Sequence, residues 1–195
     1  MRALNLYGRS YVIFPFHDPD GATVAFQARA NDGEPDAHRA YGPKSAGVFS
    51  SSPNALRGEA ITICEAPIDA LSLAVCGWPA IALGGVTAPD WIIAALAFKR
   101  VLLAFDSDAN GAGDQAAAAL TLALRSFGAK VIRLAPLRAE EAIKSDWNMM
   151  LQVNGAVELR AWLAGTHEFG TTQRGLPICF DASAAYRESS SISIA

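Results

Sequence analysis

Ala60-Ile-Thr-Ile-Cys64, followed at once by Glu65-Ala-Pro-Ile-Asp69, is the stretch on which the fold of this 195-residue chain turns. Ala60 to Cys64 carries no charge and three β-branched side chains, which reads as a strand buried on both faces, the kind a parallel sheet is built from. Pro67 suits the first turn of a helix, where its missing N–H costs nothing, so a helix is expected from Pro67 to Cys76. The alternation then repeats downstream. Ala80-Ile-Ala-Leu83 reads as a strand ending in Gly84-Gly85, and Pro89 to Phe98 as a helix. Val101-Leu-Leu-Ala-Phe105 is a strand, Gly113 to Phe127 an alanine-rich helix closed by Gly128, and Lys130-Val-Ile-Arg-Leu134 a further strand. Two short helices, near Trp147–Gln152 and Val157–Ala164, complete the pattern. Short apolar strands alternating with longer helices specify an α/β fold, a parallel sheet flanked by helices.

Upstream the pattern changes. Tyr11-Val-Ile-Phe-Pro-Phe16 is an apolar run, His17-Asp-Pro-Asp-Gly21 has turn chemistry, and Ala22 to Arg29 is a second run, together a hairpin. Asn31-Asp-Gly-Glu-Pro35 reads as a loop and Ser50-Ser-Ser-Pro-Asn54 as a joint between modules. The expected organisation is a small strand-rich subdomain over residues 1–58, the α/β domain over 59–165, and a poorly structured tail over 166–195.

With 51% hydrophobic and 18% charged residues the chain has ample material for a core. Its net charge of −3 excludes binding nucleic acid by bulk charge, though not by a local groove. The acidic surplus sits in residues 59–154, with ten acidic groups against seven basic ones. Cys64, Cys76 and Cys179 stand apart with no C-x-x-C spacing, so neither a disulfide framework nor a Cys/His zinc site is supported. The N-terminal MRALNLYGRS lacks a long apolar region, and no stretch reaches about 18 apolar residues without a charge. The expectation is a soluble protein of the reducing cytoplasm, with no membrane partner.

Ligands of a parallel α/β sheet collect beyond the carboxyl ends of its strands, and the acidic residues fall there. Glu65 directly follows the first strand, with Asp69 one helical turn further on. Asp106 and Asp108 follow the third, and Asp146 lies in Lys144-Ser-Asp-Trp-Asn148 after the fourth. A single Asp-x-Asp is weak, because carboxylates often cap helices and turns, and Glu65 with Asp69 could serve the helix at Pro67 in that way. Three acidic sites at three strand ends carry more weight. Carboxylates crowded at one edge repel one another, and a hard divalent cation resolves the conflict, which points to Mg²⁺ or Mn²⁺. A calcium loop starting at Asp106 is excluded, since its twelfth position is Ala117 where a bidentate Glu is required.

Glu65-x-x-x-Asp69, Gly84-Gly85, Asp106-x-Asp108 with Gly111 and Gly113, and Lys144-Ser-Asp146-Trp-Asn148 occur in an order that resembles the TOPRIM domain. That domain is shared by bacterial-type DNA primases, topoisomerases, overcoming-lysogenization-defect nucleases and recombination proteins. The resemblance covers roughly residues 60–152 and is closest to the primase branch. Ala66 replaces the usual glycine of the first motif, and Asn148 stands where a second acid is common. Val12 to Phe16, Asp20-Gly21 and Phe26-Gln-Ala-Arg29 resemble the small subdomain that precedes TOPRIM in primases.

The resemblance implies a DNA primase-like nucleotidyltransferase that synthesises RNA primers on single-stranded DNA from ribonucleoside triphosphates. It implies Glu65, Asp106 and Asp108 as catalytic residues, and Glu65, Asp69, Asp106, Asp108 and Asp146 as ligands of Mg²⁺ or Mn²⁺. Glu65 is either a ligand or the general base. Arg29, Arg39, Lys44 and Lys144 are the implied DNA- and nucleotide-binding residues. The resemblance also implies a replicative helicase as a further partner. The chain resembles a bare polymerase core, or a fragment of a longer protein, since the zinc-binding and helicase-binding domains of such primases have no counterpart in it. Topoisomerase chemistry is disfavoured because no Tyr has the context of a nucleophile. The alternatives are a TOPRIM nuclease, in which the same acids activate water, and a non-catalytic DNA-binding or assembly module.

Overall fold

A computed structural model describes residues 2–6, 8–32, 38–108, 111–137 and 144–168. The chain opens with a four-stranded antiparallel sheet of β1 (Arg2–Leu6), β2 (Arg9–His17), β3 (Thr23–Ala30) and β4 (His38–Tyr41), in that spatial order. The expected hairpin is β2–β3, with Val12 opposite Arg29, Phe14 opposite Gln27 and Phe16 opposite Ala25. Outside the sequence-based reading are β1 and β4. Every residue of β4 is exposed, so it carries no alternating pattern to read.

The second sheet contains β5 (Phe49–Ser50), β6 (Ala60–Cys64), β7 (Ala80–Ala82), β8 (Arg100–Leu103) and β10 (Lys130–Arg133). Its spatial order is β10-β8-β6-β7-β5, all parallel except β5, which runs antiparallel to β7. Helices α1 (Pro67–Val75), α2 (Asp90–Ala95) and α3 (Ala112–Ser126) make the crossovers, and α4 (Trp147–Glu168) follows. Two further short strands, β9 (Ser107–Asp108) and β11 (Lys144–Ser145), pair antiparallel with each other. The helix expected over 89–98 is shorter than its pattern. The chain leaves it at Leu96, and Phe98 takes a positive φ of 61° while its N–H donates to the Phe127 carbonyl. The two short helices expected near 147–164 meet at Gly155, whose φ of 78° interrupts the helical geometry between them.

Side chains of the parallel sheet divide by size between its two faces. Ile61, Ile63, Ile81, Leu83, Val101, Leu103 and Phe105 pack with Ile92 and Leu96 of α2 and with Ala117, Leu120 and Leu124 of α3. The alternate positions, Cys64, Ala80, Ala82, Leu102 and Ala104, are mostly small and lie in one cluster with Leu73 of α1 and Trp147 and Leu163 of α4. Small strand residues let the large indole in, and its Nε1–H donates to the Ala104 carbonyl at 2.8 Å. Phe14 and Phe16 of β2 belong to that same cluster, and Phe14 meets Phe49 of β5 edge-to-face at 5.6 Å. The antiparallel sheet is therefore docked through a shared core. Phe49 and Ser50 already belong to the larger sheet, so the chain enters it at the start of the expected joint at 50–54. Of the tail expected over 166–195, everything from residue 169 lies outside the described residues. Among the described residues, no helix is long and apolar enough to cross a membrane.

Candidate functional site

Strand order creates the site. From β6 the chain passes through α1 to β7 on one side, then crosses through α2 to β8 on the other. Neighbouring strands β6 and β8 thus send their chains in opposite directions, and a crevice opens beyond their carboxyl ends at such a switch point. Glu65 leaves β6 and Asp106 follows β8 at that place. The Asp106 N–H donates to Glu65 Oε1 at 3.2 Å, which joins the first two acidic motifs across 41 residues of sequence. Asp106 is buried, with 2% of its surface exposed. Gly113, in the first turn of α3, makes this approach possible. A Cβ there would lie 2.5 Å from the Asp106 carbonyl oxygen and 3.4 Å from Glu65 Oε1.

One residue that holds this loop was not identified from sequence. Arg133, at the end of β10, donates to the carbonyls of Phe105 (2.8 Å) and Asp106 (3.0 Å), more weakly to Leu103 (3.3 Å), and to Leu134. It also pairs with the Asp114 carboxylate at 2.9 Å. A cation at the carboxyl end of a strand was the available signal. Its target carbonyls could be known only from the sheet order.

The other acidic candidates have structural partners. Asp69 is 2% exposed, and its Oδ1 accepts the N–H of Asn148 at 3.0 Å. Ser72 Oγ donates to the peptide oxygen of Ile68 at 2.9 Å and lies 3.4 Å from Asn148 Oδ1. Asp69 and Asn148 thereby clamp α1 to the start of α4. Asp146 Oδ1 accepts the N–H of Met149 at 2.7 Å, a helix N-cap. Asp108 is placed by backbone register opposite Lys144 in the β9–β11 pair, so the second and third acidic motifs meet at the same edge.

The basic candidates separate. By the pleat of the antiparallel sheet, Arg29 shares a face with its register partners Val12 and His38, the face that carries Phe14 and Phe16 into the common core. Arg39 is in register with Ala28 and lies on the opposite face, with its guanidinium donating to the His38 carbonyl. Lys44 joins the Arg29 side. Burial, then the charges of Arg29 and Lys44, hold the His38 imidazole below its ordinary pKa, so both cations lie within electrostatic reach of that ring. Lys44 Nζ also donates to the Gly84 carbonyl at 2.7 Å, and the Gly84 N–H donates to the Glu65 carbonyl at 2.8 Å. His38 was not identified from sequence, because its fully exposed strand carries no alternating pattern.

Charge at the switch point is negative. Burial, then Asp69, Asp106 and Glu65, raise the thiol of the buried Cys64 well above its usual range. Oxygen donors in a negative environment fit Mg²⁺ or Mn²⁺. Among the described residues no three acidic, His or Cys side chains converge closely enough to enclose an ion. Glu65 and Asp106 are the two acidic candidates that a hydrogen bond joins directly, and Asp108 follows Asp106 by two residues.

Residues 60–157 match the model of the Toprim domain family. Comparison with curated protein sequences gives no match. Among solved structures, the zinc-binding and RNA polymerase domains of the Aquifex aeolicus primase are similar at a TM-score of 0.61 and 20% identity, over 80% of this chain and 40% of that one. The primase fragment of the bacteriophage T7 primase-helicase protein is similar at 0.55 and 22%, over 82% and 64%. A DnaG primase catalytic domain bound to ssDNA is similar at 0.60 and 19%, over 83% and 57%. The chain spans less than two thirds of each of these structures, and the likeness establishes a primase-core fold. With the family model covering half the chain, and its acidic motifs drawn together at one switch point, the chain belongs to the Toprim domain family.

Proposed function

We propose that this chain is the core of a primase-like nucleotidyltransferase, which joins ribonucleotides on a single-stranded DNA template by metal-dependent phosphoryl transfer. One observation carries the reading. Two hydrogen bonds, Lys44 to Gly84 and Gly84 to Glu65, link the cationic cluster of the antiparallel sheet to the acidic pair of the parallel one. A polymerising site needs that adjacency, with cations for phosphates beside carboxylates for metal. The ssDNA named for the matching DnaG domain supports the ligand class.

Glu65, Asp106 and Asp108 would hold Mg²⁺ or Mn²⁺, which when bound neutralises triphosphate charge and acidifies the attacking 3′-hydroxyl. Asp106 holds the Glu65 carboxylate in place through its backbone N–H, and Arg133 holds the Asp106 loop. Arg29 and Lys44 bind phosphates of the template or the incoming nucleotide. Asp69 and Asp146 keep α1 and α4 in position around the crevice. Lys144 is a further phosphate-binding candidate, opposite Asp108 in register.

The test is incubation with single-stranded DNA, ribonucleoside triphosphates and Mn²⁺ or Mg²⁺. Short RNA products that disappear in Glu65→Gln, with oligonucleotide binding retained, are expected. Shortened template without products would assign the chain to the nucleases. Binding with neither would assign it to the non-catalytic modules.

A further inference from the structure

The amino edge of the parallel sheet, opposite the carboxylates, carries the opposite charge. Strands β6, β8 and β10 begin there in register, with Ala60 beside Arg100 and Arg100 beside Lys130. Two cations in register on adjacent strands repel each other, a local cost to the sheet. Arg57 and Lys99 border the same shallow concavity of about 490 Å³, in which Glu59 is the sole acidic lining residue. An acidic protein has thus gathered four cations at one edge.

An aromatic ring stands among them. Phe98 is 86% exposed, and its positive φ is one that a bulky side chain rarely adopts. Its ring rests on Gly128, where a Cβ would come within 2.7 Å of it, and its N–H binds the carbonyl of the half-exposed Phe127. The core makes no use of this ring.

We propose that this edge is a second binding site, for single-stranded nucleic acid, with a base stacked on Phe98 and phosphates on Arg57, Arg100 and Lys130. An exposed ring among cations suits splayed bases on a charged backbone. A duplex hides its bases, and an acidic peptide has charge but need not present a ring. The two edges are one strand length apart, about 16 Å, so the site is separate from the acidic crevice. The inference takes from the primase reading only the class of ligand.

The test is fluorescence anisotropy of a labelled oligo-deoxythymidylate titrated at several salt concentrations. Arg100→Ala/Lys130→Ala should reduce the slope of log affinity against log salt by about 1.4, at roughly 0.7 for each lost phosphate contact. Phe98→Gly, which removes the ring at a backbone geometry glycine prefers, should weaken binding about tenfold with the slope unchanged. In Phe98→Trp the added indole emission should be quenched by the oligonucleotide. An unchanged slope in the double variant, wild-type affinity in Phe98→Gly, or equal competition by poly-glutamate would each overturn the proposal. Primer synthesis run in parallel separates the two readings. A wild type that makes no primers, with the edge variants still showing these losses in binding, removes only the primase reading. Wild type that makes primers while the edge variants bind normally removes only the edge site.

Discussion

The guanidinium of Arg133 has the carbonyls of Phe105, Asp106, Leu103 and Leu134 around it, and only one of its partners, Asp114, is largely exposed. Arg133→Met should therefore cost about 3 kcal/mol in urea denaturation, because carbonyls of the acidic loop lose their donor. Asp114→Asn should cost under about 1 kcal/mol, since the carboxylate lies mostly in solvent. Equal costs would show that the ion pair and not the carbonyl cradle matters. His38 gives a pH prediction. Its pKa is lowered in the folded protein by burial, Arg29 and Lys44, so the unfolded chain takes up its proton first as pH falls. The His38 contribution to stability is complete above the ordinary value of 6.5 and is lost as pH drops through the lowered one. Thermal melts of His38→Gln should fall less than wild type between about pH 7 and 5. Parallel curves would remove His38 from the cationic cluster.

At the scale of elements, the join between β8 and α3 is where packing and chemistry compete. Alanine normally improves a helix by about 1 kcal/mol over glycine, so on propensity Gly113→Ala should stabilise α3. The Asp106 carbonyl, 2.5 Å from the new Cβ, reverses that sign. We expect a net loss of about 1–3 kcal/mol and impaired metal binding, because the loop must move away from Glu65. Gly85→Ala is the matched control, since a Cβ there meets nothing within 4 Å. It should be neutral or slightly stabilising. If both behave alike, close approach at Gly113 is not what shapes the site.

Over the whole molecule the charges are unevenly sorted, with Glu65, Asp69 and Asp106 at the carboxyl edge of the parallel sheet, where Arg133 holds the loop, and four cations beside Glu59 at the amino edge. An ion that binds the folded acidic edge must stabilise the fold, by about 2.7 kcal/mol at a hundred times its Kd. Mn²⁺ should therefore raise Tm by roughly 5–10 °C in a chain of this size. Asp106→Asn should abolish the rise and leave the metal-free fold intact, since it removes one of three crowded negative charges. An equal rise in both proteins would place the ion elsewhere.

This sorting also marks where the sequence stops informing. The alternation from Ala60 to Leu134 specified the parallel sheet, and the positions of Glu65 and Asp106 directly after apolar runs placed both at one sheet edge, because periodicity and strand ends are local properties. Strands β4 and β5 and the β9–β11 pair escaped, being too short or too exposed to carry a period. That Asp69 clamps α4, that Arg39 turns away from Arg29, and that Arg133 and His38 join the site depend on register and strand order. The same holds for Arg57, Phe98, Arg100 and Lys130, which are scattered in sequence and adjacent only because three strands begin at one edge. Periodicity is written within each segment, whereas neighbours across strands exist only once the crossovers have chosen their sides.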